Sequence, residues 1–166
     1  MKSVFTATVI ALLGMVVFTA CDHDDDDIRV SDVPVSVMNA FQAKFPNVVN
    51  AEWEKKSGYY VADFWQEGME TYVWMDKDAQ WRMTELDLNT RLDFLPQAVQ
   101  DAFRNGQYTS WRVDDIDKYE RPGDTFYLIE VETNGQRDRD LYYAADGSLL
   151  KDEVDKEKEV TPDITF

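Results

Sequence analysis

Cysteine, histidine and basic residues are scarce in this chain. Cys21 is the only cysteine and His23 the only histidine, so no disulfide can form within the chain. A catalytic cysteine, a Ser–His pair and a zinc site of the usual kind all need cysteine or histidine. Neither of these two residue types occurs after His23. The sequence also has no glycine-rich phosphate loop of the Walker or dinucleotide type. We therefore predict that the protein is not an enzyme, uses no cofactor and holds no metal.

The scarcity of basic residues makes the chain strongly acidic. Its 17 Lys and Arg stand against 33 Asp and Glu, which gives a net charge of −16. Such a surface repels nucleic-acid phosphates and anionic lipid headgroups, so we predict no nucleic-acid partner. With so many acids, a pair of carboxylates placed as in a glycosidase is expected by chance. A basic protein, a basic peptide or a cation remains a compatible partner.

Residues 1–20 are predicted to be a signal peptide. Met1-Lys2-Ser3 is a short basic start, and Val4–Ala20 is an uncharged, mostly apolar run that ends at Cys21. A transmembrane anchor is the alternative, but it needs about 20 apolar residues, and this run is shorter. Phe18-Thr19-Ala20 before the cysteine resembles the lipobox of bacterial lipoproteins, although Phe18 stands where the lipobox usually has Leu. The resemblance implies lipidation of Cys21 and an exported protein anchored in the envelope of a Gram-negative bacterium.

Residues 21–32 are predicted to be an acidic tether. The stretch contains few apolar residues and a block of aspartates from Asp24 to Asp27, so it should be solvated and extended. Asp22 resembles an inner-membrane retention signal, whereas the longer acidic run resembles a signal for transport to the cell surface. The sequence leaves the periplasmic side and the cell surface both open. Metal binding by His23 is disfavoured because a flexible run lacks fixed ligand geometry.

Two stretches of the chain can be aligned with each other. Val33–Phe41 aligns with Leu95–Phe103, and Tyr60–Phe64 aligns with Tyr127–Val131. No single match is persuasive, but the matches occur in the same order along the chain. This order predicts a tandem repeat with one copy in residues 33–88 and the other in residues 95–155.

Each copy should contain a helix followed by four strands. Pro34 and Pro96 suit a first helical turn, where the missing N–H costs nothing. Asn134-Gly135 and Asp146-Gly147 indicate hairpins, and successive hairpins produce antiparallel sheets. The predicted strands are Ala51–Lys56, Tyr59–Gln66, Glu70–Met75, Ala79–Leu86, Ser110–Asp115, Thr125–Thr133, Arg139–Ala144 and Ser148–Val154.

These elements predict an α+β fold of two tandem helix-plus-four-stranded antiparallel sheet units. The connection from Asp87 to Phe94 is too short for independent domains. We therefore expect the two sheets to lie side by side, one arrangement being a single eight-stranded sheet, with both helices on one face. Residues 156–166 are charged and then contain Pro162, and we expect this end to be loose.

Several of these residues carry a resemblance to a known family. Phe41–Pro46, Ala51-Glu52-Trp53, the Tyr-rich strand that ends at Gly68, and Asp78–Trp81 resemble the PepSY-like, β-lactamase-inhibitor-like (BLIP-like) exported lipoproteins of bacteria. The resemblance extends over about Val33 to Val154 and is clearest before Trp53. It implies a fold similar to β-lactamase inhibitory protein, with a partner held on the concave face of the sheet. It does not imply inhibition of a β-lactamase, because fold does not carry function.

Alternation along the strands predicts which face of the sheet binds the partner. Tyr60–Phe64 and Tyr127–Val131 place apolar side chains at alternate positions, which we assign to a helix-packed core. The intervening positions carry acids and are assigned to an open face, where aromatic residues can supply binding energy. Structural use of the same residues, with the sheet covered by its own curvature, its tail or self-association, is the alternative. The predicted partner-binding residues are Tyr59, Trp65, Tyr72, Trp74, Tyr142, Asp63 and Glu130.

The sequence thus predicts a non-catalytic envelope lipoprotein that binds, and in one version inhibits, a protein or peptide partner through this open face. The alternative is a lipoprotein that binds cations, basic peptides or glycans, because aromatic rings stack on sugars and carboxylates attract cations. Asp76–Gln80 has some likeness to a calcium loop, but Trp81 stands where such a loop needs Gly. We therefore interpret that stretch as a hairpin turn.

Overall fold

A single antiparallel sheet of eight strands forms the centre of the protein. The computed structural model describes residues 27–156 and 158–166. Helix α1 (Val35–Lys44) precedes the first four strands and helix α2 (Gln97–Arg104) precedes the last four. The strands are β1 Glu52–Lys56, β2 Tyr59–Gln66, β3 Met69–Met75, β4 Trp81–Asp87, β5 Arg112–Arg121, β6 Asp124–Glu132, β7 Arg139–Ala144 and β8 Leu149–Val154. They lie in numerical order, each hydrogen-bonded to the next.

The predicted architecture of two tandem helix-plus-four-stranded units is wrong. Strand β4 pairs with β5 from Thr84 opposite Glu120 to Asp87 opposite Asp117, so the sheet continues without a break. The two α-helices have only ten and eight residues, and the fold is mostly sheet. The physical reason lies in β5, which was predicted to end at Asp115. Its additional residues supply the backbone partners of β4, which would otherwise be an unpaired edge.

The two helices cover one face of this sheet, here called the helix face. Both begin directly after a proline, as predicted for Pro34 and Pro96. Each helix buries two side chains one turn apart, Val37 and Phe41 in α1 and Val99 and Phe103 in α2. The strand residues packed beneath them include the predicted core positions Ala62, Phe64, Tyr127, Ile129 and Val131. The predicted assignment of side chains to the two faces is therefore confirmed for this side.

The opposite face is crossed by the last residues of the chain. Residues 158–166, here called the strap, were expected to be loose, but Val160 and Pro162 are buried against the sheet. The Ile164 N–H donates to the Thr161 carbonyl at 3.1 Å, which closes a turn with Pro162 at its second position. Apolar residues occupy alternate positions from Val160 to Phe166. Val160 and Ile164 pack in the same apolar cluster as the sheet residues, and the Phe166 ring packs against Phe126 and Tyr142. We call the covered face the strap face.

The described part of the chain begins within the predicted tether. Asp27 forms a β-bridge with Glu54, and the Ile28 N–H donates to the Trp53 carbonyl at 2.9 Å. These contacts place Asp27 and Ile28 of the predicted tether against β1. The predicted signal peptide, the predicted lipidation site Cys21, and His23, which was considered as a metal ligand, lie outside the described residues. None of the helices that the structure describes is both long enough and apolar enough to span a bilayer.

Candidate binding face

The strap face divides into three regions of different chemistry. The first is an apolar groove beneath the strap, formed by Val61, Trp74, Met83, Tyr119, Phe126, Leu128 and Tyr142, with Val160 of the strap packed into it. The second is a carboxylate ladder, formed by Asp115, Glu130, Asp140 and Glu153. The third is an acidic cleft beside Trp65, where the β1–β2 edge of this face meets helix α1 and residues 45–51.

Aromatic side chains dominate the apolar groove. The Tyr119 and Phe126 rings are stacked with their centroids 4.8 Å apart, and the Tyr59 and Trp74 rings meet edge to face at 5.9 Å. Trp74 and Tyr142 were predicted to bind a partner, but they are only 1% and 3% exposed. Both stand on the predicted face of the sheet. They are inaccessible to another molecule while the strap lies over them.

The carboxylate ladder results from the register of four neighbouring strands. Asp115 lies opposite Glu130, Glu130 opposite Asp140, and Asp140 opposite Glu153. Side chains directly opposite on one face are close, so like charges at these positions destabilise the sheet. Lys151 pairs with Glu153 at 2.7 Å. The ladder therefore places an excess of negative charge at one end of the strap face.

Burial adds to the electrostatic cost of this ladder. Burial, and then repulsion from Asp140, raises the pKa of Glu130 to about 7. Burial, and then repulsion from Asp155, raises the pKa of Asp140 to about 6. Asp140 is 8% exposed, and one of its carboxylate oxygens has no hydrogen-bond partner among the described residues. These two acids consequently lose part of their charge near neutral pH.

A second acidic group lies between the ladder and the groove. The Tyr119 hydroxyl is 3.3 Å from a carboxylate oxygen of Glu85 and from one of Asp117, and it can donate to either. Burial raises the pKa of Glu85 to about 7, although the Tyr119 hydrogen bond acts in the opposite direction. Burial and then the Glu85 charge hold the pKa of Asp117 well above its usual range. Sequence patterns gave no sign that Asp117 would be buried.

Asp87, Asp115 and Asp117 offer carboxylate oxygens that all lie within 4.8 Å of one another. Such a group could hold a cation, but clustered acids alone do not make a site, and no metal is assigned to it. The other stretch considered for calcium, Asp76–Gln80, is the turn between β3 and β4. There the Asp76 carboxylate accepts hydrogen bonds from the backbone N–H groups of Asp78 and Gln80.

The acidic cleft surrounds the most accessible of the predicted residues. Trp65 is 68% exposed, whereas the predicted residues Asp63, Tyr59, Tyr72 and Glu130 are half-buried. The cleft has a volume of about 1000 Å³, and its acidic lining residues are Glu52, Asp63, Glu67 and Glu70.

Strand register brings the charges of this cleft together. Glu52 lies directly opposite Asp63, and Glu70 lies directly opposite Trp65. Burial, and then the charges of Glu70, Glu54 and Glu52, raises the pKa of Asp63 to about 6. The lysine that lines the cleft, Lys44, has its ammonium 3.7 Å from the centre of the Trp81 ring. The carboxylates of the cleft thus exceed its cations, next to an exposed indole ring.

Comparison with known proteins places this architecture in a family. Residues 58–151 match the model of the PepSY-like, β-lactamase-inhibitor-like family. The clearest stretch of the resemblance seen in the sequence, Phe41–Trp53, lies before this matched range. Comparison with curated protein sequences gives no significant match.

Several solved structures share the fold. A BLIP-like protein from Bacteroides fragilis is 36% identical, with a TM-score of 0.70 over 78% of this chain and 92% of its own. A DUF2874-family protein from Bacteroides ovatus is 32% identical, with a TM-score of 0.70 over 73% and 86% of the two chains. A candidate periplasmic protein from Bacteroides eggerthii is 30% identical, with a TM-score of 0.69 over 74% and 88%.

These comparisons suggest a binding protein and not a catalyst, since the family is defined by its likeness to an inhibitor. The family match extends over more than half of the sequence. The same fold recurs in solved structures of 30–36% identity. The chain belongs to the PepSY-like, β-lactamase-inhibitor-like family.

Proposed function

We propose that the protein binds a basic segment of a protein or peptide partner in the acidic cleft beside Trp65. The observation that carries this proposal is an indole ring that is 68% exposed and lies among the carboxylates of Glu52, Asp63 and Glu70. Placing like charges opposite each other costs stability, and an exposed Trp contributes little to the core. A partner's Arg or Lys would neutralise the carboxylates and stack on the ring.

This proposal narrows the predicted binding face to its accessible end. Of the seven predicted residues, Trp65 and Asp63 line the cleft, and Tyr72 lies opposite Asp63 on the neighbouring strand. Trp74 and Tyr142 are covered by the strap and take no part in this site. Binding requires no covalent chemistry, in keeping with a non-catalytic role.

A tetra-arginine peptide tests the cleft directly, with affinity measured by calorimetry at two salt concentrations. We expect the double variant Trp65→Ala/Asp63→Asn to bind at least about tenfold more weakly than the unmodified protein, because both the ring and a carboxylate are lost. Binding should also weaken at 0.5 M salt, since exposed charges are screened.

The matched control is Phe94→Ala/Asp93→Asn, which removes one exposed ring and one acid elsewhere. Phe94 is 42% exposed and stacks under the Arg91 guanidinium, 3.3 Å from its central carbon. This variant has the same net charge as the cleft variant, so it should keep the affinity of the unmodified protein. Equal weakening in both variants would show that net charge alone attracts the peptide, and it would refute a site at Trp65.

A glycan is the second candidate ligand, because side-chain amides also line the cleft. Gln42, Asn47, Asn50 and Gln66 contribute donors and acceptors beside the exposed indole. Titration with a neutral tetrasaccharide under the same conditions separates the two ligands. Saturable, salt-independent binding that is lost in Trp65→Ala would favour the glycan over the basic peptide.

We further propose that this binding takes place at the envelope, with the protein held by a lipid on Cys21. The basic start, the apolar run and Phe18-Thr19-Ala20 before the cysteine support this proposal. Expression in a Gram-negative host should give a membrane-associated, lipid-modified protein. Cys21→Ala should release it from the membrane fraction, and an unmodified Cys21 in the mature chain would contradict the proposal.

A further inference from the structure

We propose that the apolar groove is a second binding site, which the strap occupies exchangeably. The ligand that fits it is a turn-forming segment of a partner with an aliphatic residue, a proline and an aromatic residue. This is the pattern of Val160, Pro162 and Phe166 in the strap. The groove lies on different residues from the acidic cleft, so either site can exist without the other.

The strap is attached to the sheet without any strand pairing. Among the backbone hydrogen bonds of the described residues, none joins residues 158–166 to a strand. Three polar contacts hold the strap: Lys56 with Glu159 at 2.9 Å, the Tyr59 hydroxyl with Asp163 at 3.0 Å, and Arg121 with the Ile164 carbonyl at 2.7 Å. Segments with few buried contacts and no ladder open locally at low free energy, independently of global unfolding.

Part of the strap itself remains exposed above the groove. Phe166 packs against Phe126 and Tyr142, with ring centroids 5.0 and 5.5 Å apart, yet it remains 46% exposed. Ile164 is half-buried. Only Val160 and Pro162 are fully covered. The aromatic part of the groove, beneath Phe166, is therefore held by the least buried residue of the strap that contacts it.

The groove beneath has the composition of a protein–protein interface. Tyr119, Phe126 and Tyr142 lie on the adjacent strands β5, β6 and β7, and Trp74 lies on β3, beyond Met83 of β4. Trp and Tyr are among the residues that most often dominate binding energy. The indole N–H of Trp74 is buried near Glu85 and forms no well-aligned hydrogen bond within the described residues. A large contiguous apolar patch exposed on a monomer marks an interaction site. Opening of the strap would create such a patch.

A labelled peptide corresponding to residues 158–166 tests the groove with the full-length protein. We expect weak saturable binding to the unmodified protein, because the strap competes with the peptide. Val160→Asp in the protein should weaken the strap's own docking and tighten peptide binding at least about tenfold, since competition from a tethered segment is removed. The matched control Val49→Asp, at a side chain that is 91% exposed, should leave the affinity unchanged.

Two further measurements make the outcome decisive. A peptide carrying Val160→Asp and Phe166→Asp should not bind any of the proteins. In the unmodified protein, amide hydrogens of residues 158–166 should exchange faster than those of β6, because the strap opens locally. A folded Val160→Asp protein that binds the peptide no more tightly than the Val49→Asp control would overturn the proposal. Amide hydrogens of residues 158–166 that exchange only as slowly as those of the core would also overturn it. A Val160→Asp chain that cannot fold would do the same, because either result would make the strap a permanent part of the fold.

Discussion

The two faces of the sheet are covered in different ways. Two helices cover the helix face, and a nine-residue strap without regular structure crosses the strap face. The buried acids Asp117 and Asp140 both lie on the strap face, together with the carboxylate ladder. The helix face thus has the features that specify a fold, and the strap face has features that reduce stability. Local costs of this kind are typical of functional surfaces.

Substitution of one phenylalanine on each face should show the largest difference in the free energy of unfolding. Phe41 of α1 is 3% exposed and its ring contacts Phe45, Trp53 and Phe64. We expect Phe41→Ala to lower the free energy of unfolding by about 3–5 kcal/mol, because a buried ring is removed and a cavity remains. Phe166→Ala should cost less than about 1 kcal/mol, since its ring is half exposed. Urea unfolding monitored by circular dichroism measures both, and similar losses would contradict the difference.

Two valines give a smaller version of the same comparison. Val99 of α2 and Val160 of the strap are 0% and 7% exposed. Val99→Ala should cost about 2 kcal/mol, from two buried methyl groups and the space that they leave. Val160→Ala should cost less than about 1 kcal/mol, because the strap can detach while the sheet and helices remain folded. If both variants lower the urea concentration at the unfolding midpoint by the same amount, the strap unfolds only together with the core.

The acids of the strap face should make the protein less stable as pH rises. Burial and repulsion raise the pKa of Glu130 to about 7 and that of Asp140 to about 6 in the folded protein. The folded state therefore binds more protons than the unfolded state between about pH 4 and pH 7. Over that window the free energy of unfolding falls as pH rises, because ionisation is easier in the unfolded chain. Thermal unfolding at pH 5.5 and pH 8 measures the change, and greater stability at pH 8 would contradict it.

Neutral substitution in the ladder isolates this pH effect. Asp140→Asn should raise stability at pH 8 by about 1 kcal/mol, since it removes a buried charge that faces other acids. The same substitution should have less effect at pH 5.5, where Asp140 is already largely protonated. The control is Asp146→Asn, because the hydrogen bond from the Ser148 N–H lowers the pKa of Asp146. Asp146→Asn should leave the pH dependence of the free energy of unfolding unchanged between pH 5.5 and pH 8.

The smallest effect on stability is expected at Trp65. The side chain is 68% exposed on the strap face, so Trp65→Ala should change the free energy of unfolding by less than about 0.5 kcal/mol. Trp53→Ala is the matched control on the helix face, where the ring is 3% exposed, and its loss should reach about 3 kcal/mol or more. A large loss of unfolding free energy in Trp65→Ala would show that this ring stabilises the fold, and would contradict its assignment to binding.

Local patterns in the sequence predicted most of the elements. The prolines before both helices, the hairpin turns at Asn134-Gly135 and Asp146-Gly147, and the alternation along β2 and β6 were sufficient. The same alternation correctly separated the two faces, because it depends only on the pleat of a strand. The pairing of β4 with β5 has no such local signal. Acids at Asp115 and Asp117 interrupt the apolar pattern, and the strand was predicted to end too early.

The candidate site was predicted less completely than the fold. Of the predicted residues, Trp65 is exposed and Asp63 is half-buried beside it, whereas Trp74 and Tyr142 lie under the strap. The alternation of Val160, Pro162, Ile164 and Phe166 was the available signal, but charges before it and a proline within it indicated a loose end. The tail was one of the covers that the alternative interpretation named. The strap pairs with no strand of the sheet in the described residues, so strand patterns could not place it over the groove.

The sheet has two edge strands, β1 and β8, and both have features that disfavour pairing with a strand of another chain. Strand β8 presents Lys151, Asp152 and Glu153 in succession, which an added strand would have to bury against itself. At the β1 edge, Asp27 and Ile28 already use backbone groups of Glu54 and Trp53. Edge-to-edge addition is the route by which β-proteins aggregate. The two ends of the sheet therefore disfavour extension of the sheet from one copy of the chain into the next.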